Sequence, residues 1–105
     1  MNSPVRYERR RVHVDGEMTI YTCGDLKSAL LEELTAHPDA TELDLSHVSD
    51  FDTAGLQLVL TARSHVSANG QELRVVNPSC TVTEVLELCR LGALLAPSAT
   101  STGAP

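Results

Sequence analysis

Apolar and polar residues alternate from Arg10 to Val14 and again from Met18 to Cys23, the pattern of short strands with one buried face. Asp15-Gly16 lies between them and suits a tight turn, because Gly accepts positive φ, so the two strands are expected to form a hairpin. The period then changes. Leu26, Ala29, Leu30 and Leu34 recur at helical spacing behind Asp25, a candidate cap, and Pro38 prevents continuation. Glu42 to Ser46 alternates with Leu43 and Leu45 on one face and Asp44 on the other, which predicts a strand. A second helix is expected from Thr53 to Ala68, apolar over 54–62 apart from Gln57 and Thr61, and closed by Asn69-Gly70. Glu72 to Val76 predicts another strand, broken by Asn77-Pro78. Thr81-Val82-Thr83-Glu84 has capping-box spacing for a third helix that turns Val82, Val85, Leu86 and Cys89 inward.

Strands that alternate with helices need crossover connections, and these make the later strands parallel. The expected fold class is therefore α/β: a small mixed β-sheet with an N-terminal hairpin, later parallel strands and three or more packed helices. Residues 1–9 are expected to be a flexible N-terminus, 10–96 a single domain, and 97–105, rich in Pro, Ser, Thr, Ala and Gly, a disordered tail. A chain of 105 residues can bury roughly 65% of its unfolded surface, enough for a core.

Charge narrows the partners. The formal net charge is −6, yet Arg6, Arg9, Arg10 and Arg11 crowd the start, and from Val12 onward four basic residues face thirteen acidic ones. Such a body repels a phosphate backbone, and an aromatic content of 3% offers few surfaces for base stacking, so nucleic acid is not an expected partner. Cys23, Cys80 and Cys89 leave one thiol unmatched in any pairing, which fits a reducing compartment. No apolar leader core or run of eighteen apolar residues occurs, so a cytoplasmic protein without membrane insertion is expected.

The residues that carry chemistry exclude most enzyme classes. His13, His37, His47 and His65 are scattered and match no metal-ligand spacing, and the glycines form no phosphate-cradling motif, so neither metal nor cofactor is expected. What stands out is "LDLSHVSDFDTAGLQLVL", Leu43 to Leu60, where a strand gives way to an acidic loop and then to an apolar helix. With Asp52 as the cap, Thr53 becomes the first helical residue, its hydroxyl at the edge of a loop. A phosphate there could accept from unpaired helix N–H groups while adding roughly −1.5 to −2 charge beside Asp50 and Asp52. Gly55 would leave the first turn bare for a partner's backbone. Ordinary capping also accounts for Asp-Thr at a helix start.

This segment, with the preceding hairpin and helix and the later "LRVVNPSCTVTEVLELCRLGALL", resembles the STAS domain family, typified by bacterial anti-sigma factor antagonists. The likeness spans about Arg10 to Leu95. It implies that Thr53, the hydroxyl residue directly after Asp52, is a phosphoacceptor, and that the unmodified protein binds a kinase-type anti-sigma factor. Phosphorylation by that kinase would end binding and a phosphatase would restore it. The surface so implied comprises Ser49, Asp50, Asp52, Thr53, Ala54, Gly55 and Gln57. Thr53, Ala54 and Gln57 depart from the antagonist pattern, in which Ser, a second hydroxyl residue and Gly are frequent. "DTAGL" is also similar to the STAS subunit of phospholipid-trafficking ABC transporters and to STAS proteins of chemosensory clusters. The alternative is therefore a constitutive accessory subunit of a transporter ATPase or a chemosensory assembly, without phosphorylation. Either way the resemblance implies a non-enzymatic protein-interaction domain.

Overall fold

The computed structural model describes residues 3–94. The chain runs β1 (Val5–Glu8), β2 (Arg11–Val14), β3 (Gly16–Met18), α1 (Cys23–Ala36), β4 (Glu42–Asp44), β5 (Val48–Phe51), α2 (Thr53–Ser67), β6 (Arg74–Val76) and α3 (Cys80–Leu88), then a 3-10 turn over Gly92–Leu94. Four strands form one sheet in the order β1-β2-β4-β6, with β1 antiparallel to β2 and the other neighbours parallel. β3 and β5 pair in parallel as a separate two-stranded ribbon. The result is the expected mixed α/β architecture with an N-terminal hairpin and three helices.

Strand period decides which face is covered. Val12, Leu43 and Val75 are direct neighbours across β2, β4 and β6 and are all buried in the helix-packed core. Leu26, Leu30 and Leu34 of α1, Leu58, Val59, Ala62 and Val66 of α2, and Val82 and Leu86 of α3 pack into that core, together with Met18 of β3 and Val48 and Phe51 of β5. Each set recurs at three or four residues, which places one stripe of each helix against the sheet layer. On the opposite face the row Glu8, Arg11, Glu42, Arg74 alternates in charge across the four strands. Arg11 Nε lies 2.9 Å from Glu42 Oε1 within that row.

The hairpin is not where Asp15-Gly16 placed it. Its turn is Arg9-Arg10, both at positive φ (53° and 70°), the geometry that matches strand twist in a two-residue connection. β1 therefore occupies part of the stretch read as a flexible N-terminus. It is held by buried Val5 and by Tyr7, whose ring stacks on His37 with centroids 3.6 Å apart and whose hydroxyl donates to Asp39. Asp15-Gly16 instead carries the chain out of the sheet, with Gly16 at φ 92° and its N–H donating to the His47 carbonyl. The strand expected over Met18 to Cys23 is displaced to Gly16–Met18, because Thr19 to Cys23 closes a turn: the N–H groups of Thr22 and Cys23 both donate to the Thr19 carbonyl. α1 begins at Cys23 rather than behind Asp25, and α3 is capped by Ser79, whose Oγ accepts from Val82 N–H, rather than by Thr81. Cys89 is exposed instead of inward. The tail expected to be disordered, 97–105, lies outside the described residues.

Asp44 does not point freely to solvent. It is 4% exposed, and its carboxylate accepts from Ser46 N–H and Oγ (2.9 and 2.7 Å) and from Asn77 Nδ2 (3.0 Å), with Arg11 Nη1 at 3.5 Å and His13 Nδ1 at 3.8 Å. Burial pushes the carboxyl upward, but the bonds from Asn77 and Ser46 and the neighbouring His13 outweigh it and hold it below the usual carboxylate range. A depressed folded-state value stabilises the fold above the unfolded carboxyl value, near 3.9, and that contribution is lost as pH falls through the folded one. In urea titrations from pH 6 to pH 2, Asp44→Asn should lose stability less steeply below about pH 4 than the wild type. Parallel curves would show that the network does not favour the ionised form.

Candidate functional site

Parallel pairing of β3 with β5 brings together the loops that leave their C-terminal ends: Thr19 to Thr22 after β3, and Asp52 after β5. β5 was read from sequence as an acidic loop. Its Val48 and Phe51 are buried while Ser49 and Asp50 between them are exposed, a spacing that breaks simple alternation and accompanies a register shift at Gly16/Glu17.

Asp52 joins the two loops. It is the N-cap of α2 with extended backbone (φ −123°, ψ −169°), and its Oδ1 accepts from Ala54 N–H at 2.9 Å and Gly55 N–H at 3.1 Å. Its Oδ2 accepts from Ile20 N–H at 3.1 Å, and its own N–H donates to the Met18 carbonyl at 3.3 Å. Desolvation raises the Asp52 carboxyl, but the N–H donors of Ile20, Gly55 and Ala54 overcome it and keep the group below its ordinary value, ionised at neutral pH.

The β3–α1 turn is pinned from within as well. Thr22 Oγ1 accepts from Thr19 N–H at 3.0 Å and donates to the Glu17 carbonyl at 2.8 Å. This fixed turn holds Ile20 and Tyr21 outward, 72% and 91% exposed. Both fall within the strand expected over Met18 to Cys23, and neither belongs to the surface expected from sequence. The signal that could have found them is the Thr19-Ile-Tyr-Thr22 pattern, in which hydroxyls at both ends close a local turn.

Of the expected surface residues, Ser49, Asp50, Thr53 and Gln57 are exposed, and Asp52 and Ala54 are half-buried. Thr53 is the first residue of α2, beside the bridging carboxylate. The helix start offers fewer vacant donors than its sequence implied. Asp52 engages the N–H groups of Ala54 and Gly55, and Leu56 N–H bonds the Asp52 carbonyl. A phosphate on Thr53 would meet a fixed carboxylate rather than an open ring of N–H groups. Gly55 is not at the surface. It is buried against β3, where a Cβ would overlap the Met18 carbonyl oxygen and come within 3.0 Å of the Phe51 ring. Its small size serves the packing of α2 on β3, not the approach of a partner.

A shallow hollow of about 270 Å³ between α1 and α2 adjoins this region, lined in part by Cys23, Lys27, Ala54 and Gln57. Burial, and then the Asp52 charge, push the Cys23 thiol up, which makes it a poor nucleophile. Among the described residues no group of three or more His, Cys, Asp or Glu side chains could hold a metal ion, and no helix is long and apolar enough to cross a membrane.

Gly55→Ala tests the close packing. Overpacking at a backbone contact should cost about 1 to 3 kcal/mol in chemical denaturation. A loss within about 0.5 kcal/mol of zero, the range of ordinary surface changes, would contradict the contact.

Comparison with known proteins agrees with this architecture. The family model "Mlab, STAS domain" matches residues 5–96. No curated protein sequence matches the chain. Among solved structures, a Thermotoga maritima protein assigned as an anti-sigma factor antagonist superposes with a TM-score of 0.72 at 23% identity, over 88% of this chain and 81% of that one. The anti-sigma factor antagonist SpoIIAA in its unphosphorylated form superposes with a TM-score of 0.68 at 20% identity, covering 88% and 84%. The phosphorylated form of SpoIIAA, a Bacillus cell fate determinant, gives a TM-score of 0.61 at 18% identity, covering 88% and 86%. At these identities the structural likeness carries the fold, while the match over nearly the whole described chain carries the family: the protein belongs to the STAS domain family.

Proposed function

We propose that the protein is a non-enzymatic bacterial regulator of the anti-sigma factor antagonist type, cytoplasmic, whose binding to a kinase-type anti-sigma factor is controlled by phosphorylation of Thr53 and restored by a phosphatase. The observation that carries this reading is the position of Thr53: exposed, first in α2, and adjacent to a carboxylate that ties α2 to the neighbouring turn. A phosphate there adds roughly −1.5 to −2 charge beside an ionised Asp52. Like charges repel, so the modification works against the bridge to Ile20 N–H, and it also covers the helix start with a bulky anion. Both effects change the surface formed by Ser49, Asp50, Asp52, Thr53, Ala54 and Gln57 without touching the core. The solved structures of SpoIIAA in phosphorylated and unphosphorylated forms support a fold of this kind carrying such a switch.

Intact-mass and tandem mass spectrometry of the protein purified from its host, with identification of what co-purifies, tests the reading. Phosphate on Thr53 and a kinase-type ATPase alongside are expected. An unmodified Thr53 in a stable complex with a transporter ATPase would replace the switch with a constitutive accessory role. With the kinase partner in hand, Thr53→Glu should weaken binding by roughly tenfold or more, the scale of one lost hot spot, and leave thermal unfolding nearly unchanged. Undiminished affinity would remove Thr53 from the switch.

A further inference from the structure

From the β3–α1 turn we infer that the partner-facing surface is an apolar tip, Ile20 and Tyr21, set in an anionic collar, and that it fits a protein surface offering an apolar socket rimmed by Lys or Arg side chains. Ile20 and Tyr21 are two adjacent large hydrophobic residues held mostly in solvent. They are not loose: Ile20 N–H is bound by Asp52, Tyr21 N–H donates to Thr19 Oγ1 at 3.3 Å, and Thr22 locks the turn to Glu17 and Thr19. A turn whose backbone is already fixed loses little backbone conformational entropy on binding, and Tyr is favoured as an anchor because its ring is large and its tip polar.

The charge in the hollow beside Tyr21 is of one sign. Tyr21 forms part of the wall of a hollow of about 280 Å³ that Asp15, Glu17 and Asp25 also line, and no Lys or Arg lines it. Glu17 stands beside Asp50 across the β3–β5 pair, both exposed. Asp15 is half-buried, and its Oδ1 is a buried carboxylate oxygen without a hydrogen-bond partner, 3.8 Å from His47 Nδ1. Of the chain's own arginine cluster, Arg9, Arg10 and Arg11 lie at the far end of the β1–β2 hairpin, while Arg6, paired with His13, lies nearer the end of β2 at Val14 where the hollow opens but is not part of its lining. A partner must therefore bring the cations, and opposite potentials of this kind steer encounter and exclude anionic surfaces. The Asp52 bridge makes the tip and the start of α2 one unit, so a change at Thr53 is felt at Ile20. This last step rests on the proposed switch; the surface itself does not.

The test uses the unphosphorylated full chain, labelled with nitrogen-15, and a blocked Arg-Leu-Leu-Arg tetrapeptide as probe, with Glu-Leu-Leu-Glu as its counterpart. Shift changes in amide spectra should gather at Glu17, Ile20 to Thr22 and Asp25 with the basic peptide and be absent with the acidic one. Binding should weaken between about 50 and 300 mM salt, as screening requires. Tyr21→Ser, and separately the double variant Glu17→Gln with Asp25→Asn, should each reduce affinity by roughly fivefold or more while the spectrum stays folded. Binding centred on the opposite sheet face, equal binding of the acidic peptide, no detectable binding, or indifference to both variants would each overturn the assignment. So would concentration-dependent self-association abolished by Tyr21→Ser, which would give the tip to a second copy of the chain. No outcome depends on a kinase: an unphosphorylated Thr53 in the host would defeat the switch and leave this surface standing, and failure of the peptide would do the reverse.

Discussion

The arrangement depends on the Asp52 carboxylate. One of its oxygens closes the N-terminus of α2 through Ala54 and Gly55, and the other reaches across to Ile20 N–H on a different loop. A carboxylate that accepts three backbone bonds is costly to protonate and costly to move, which is why the group is held below its ordinary range despite losing water. The bridge has a steric precondition. α2 must lie close enough to β3 for the carboxylate to reach, and only a residue without a side chain at position 55 permits it, because a Cβ there would overlap the Met18 carbonyl. Asp52 and Gly55 are thus two halves of one device, the first drawing the loops together and the second making room.

Topology explains why that device sits at the exposed edge. β3 and β5 are parallel, so their following segments leave from the same end, and the ribbon they form is separate from the four-stranded sheet although Met18, Val48 and Phe51 join the same core.

Much of this was legible in the sequence where periodicity was strong. The stripe Leu26, Leu30, Leu34, the alternation around Leu43 and the long apolar run after Thr53 each dictate one element, and the Asp52 cap followed from its place before that run. The failures share a cause: features set by contacts distant in sequence. The hairpin turn is made of two arginines, which carry no turn signature, whereas Asp15-Gly16 carries a strong one and serves a crossing between sheets. β5 was hidden because Ser49 and Asp50 both face water where alternation requires one to be buried. Asp44 looked like an exposed carboxylate until Asn77, far along the chain, supplied a donor. Gly55 looked bare because nothing local shows that β3 lies against it.

The central claim is that chemistry at Thr53 reaches the neighbouring turn through Asp52. Amide hydrogen exchange at Ile20, compared between the wild type and a protein carrying phosphothreonine at position 53, measures that link directly. The account predicts that Ile20 N–H loses protection when the phosphate is present while the amides of buried Leu43 and Val75 keep theirs. Equal protection of Ile20 in both proteins would contradict it, and would show that the helix start and the turn beside it are independent.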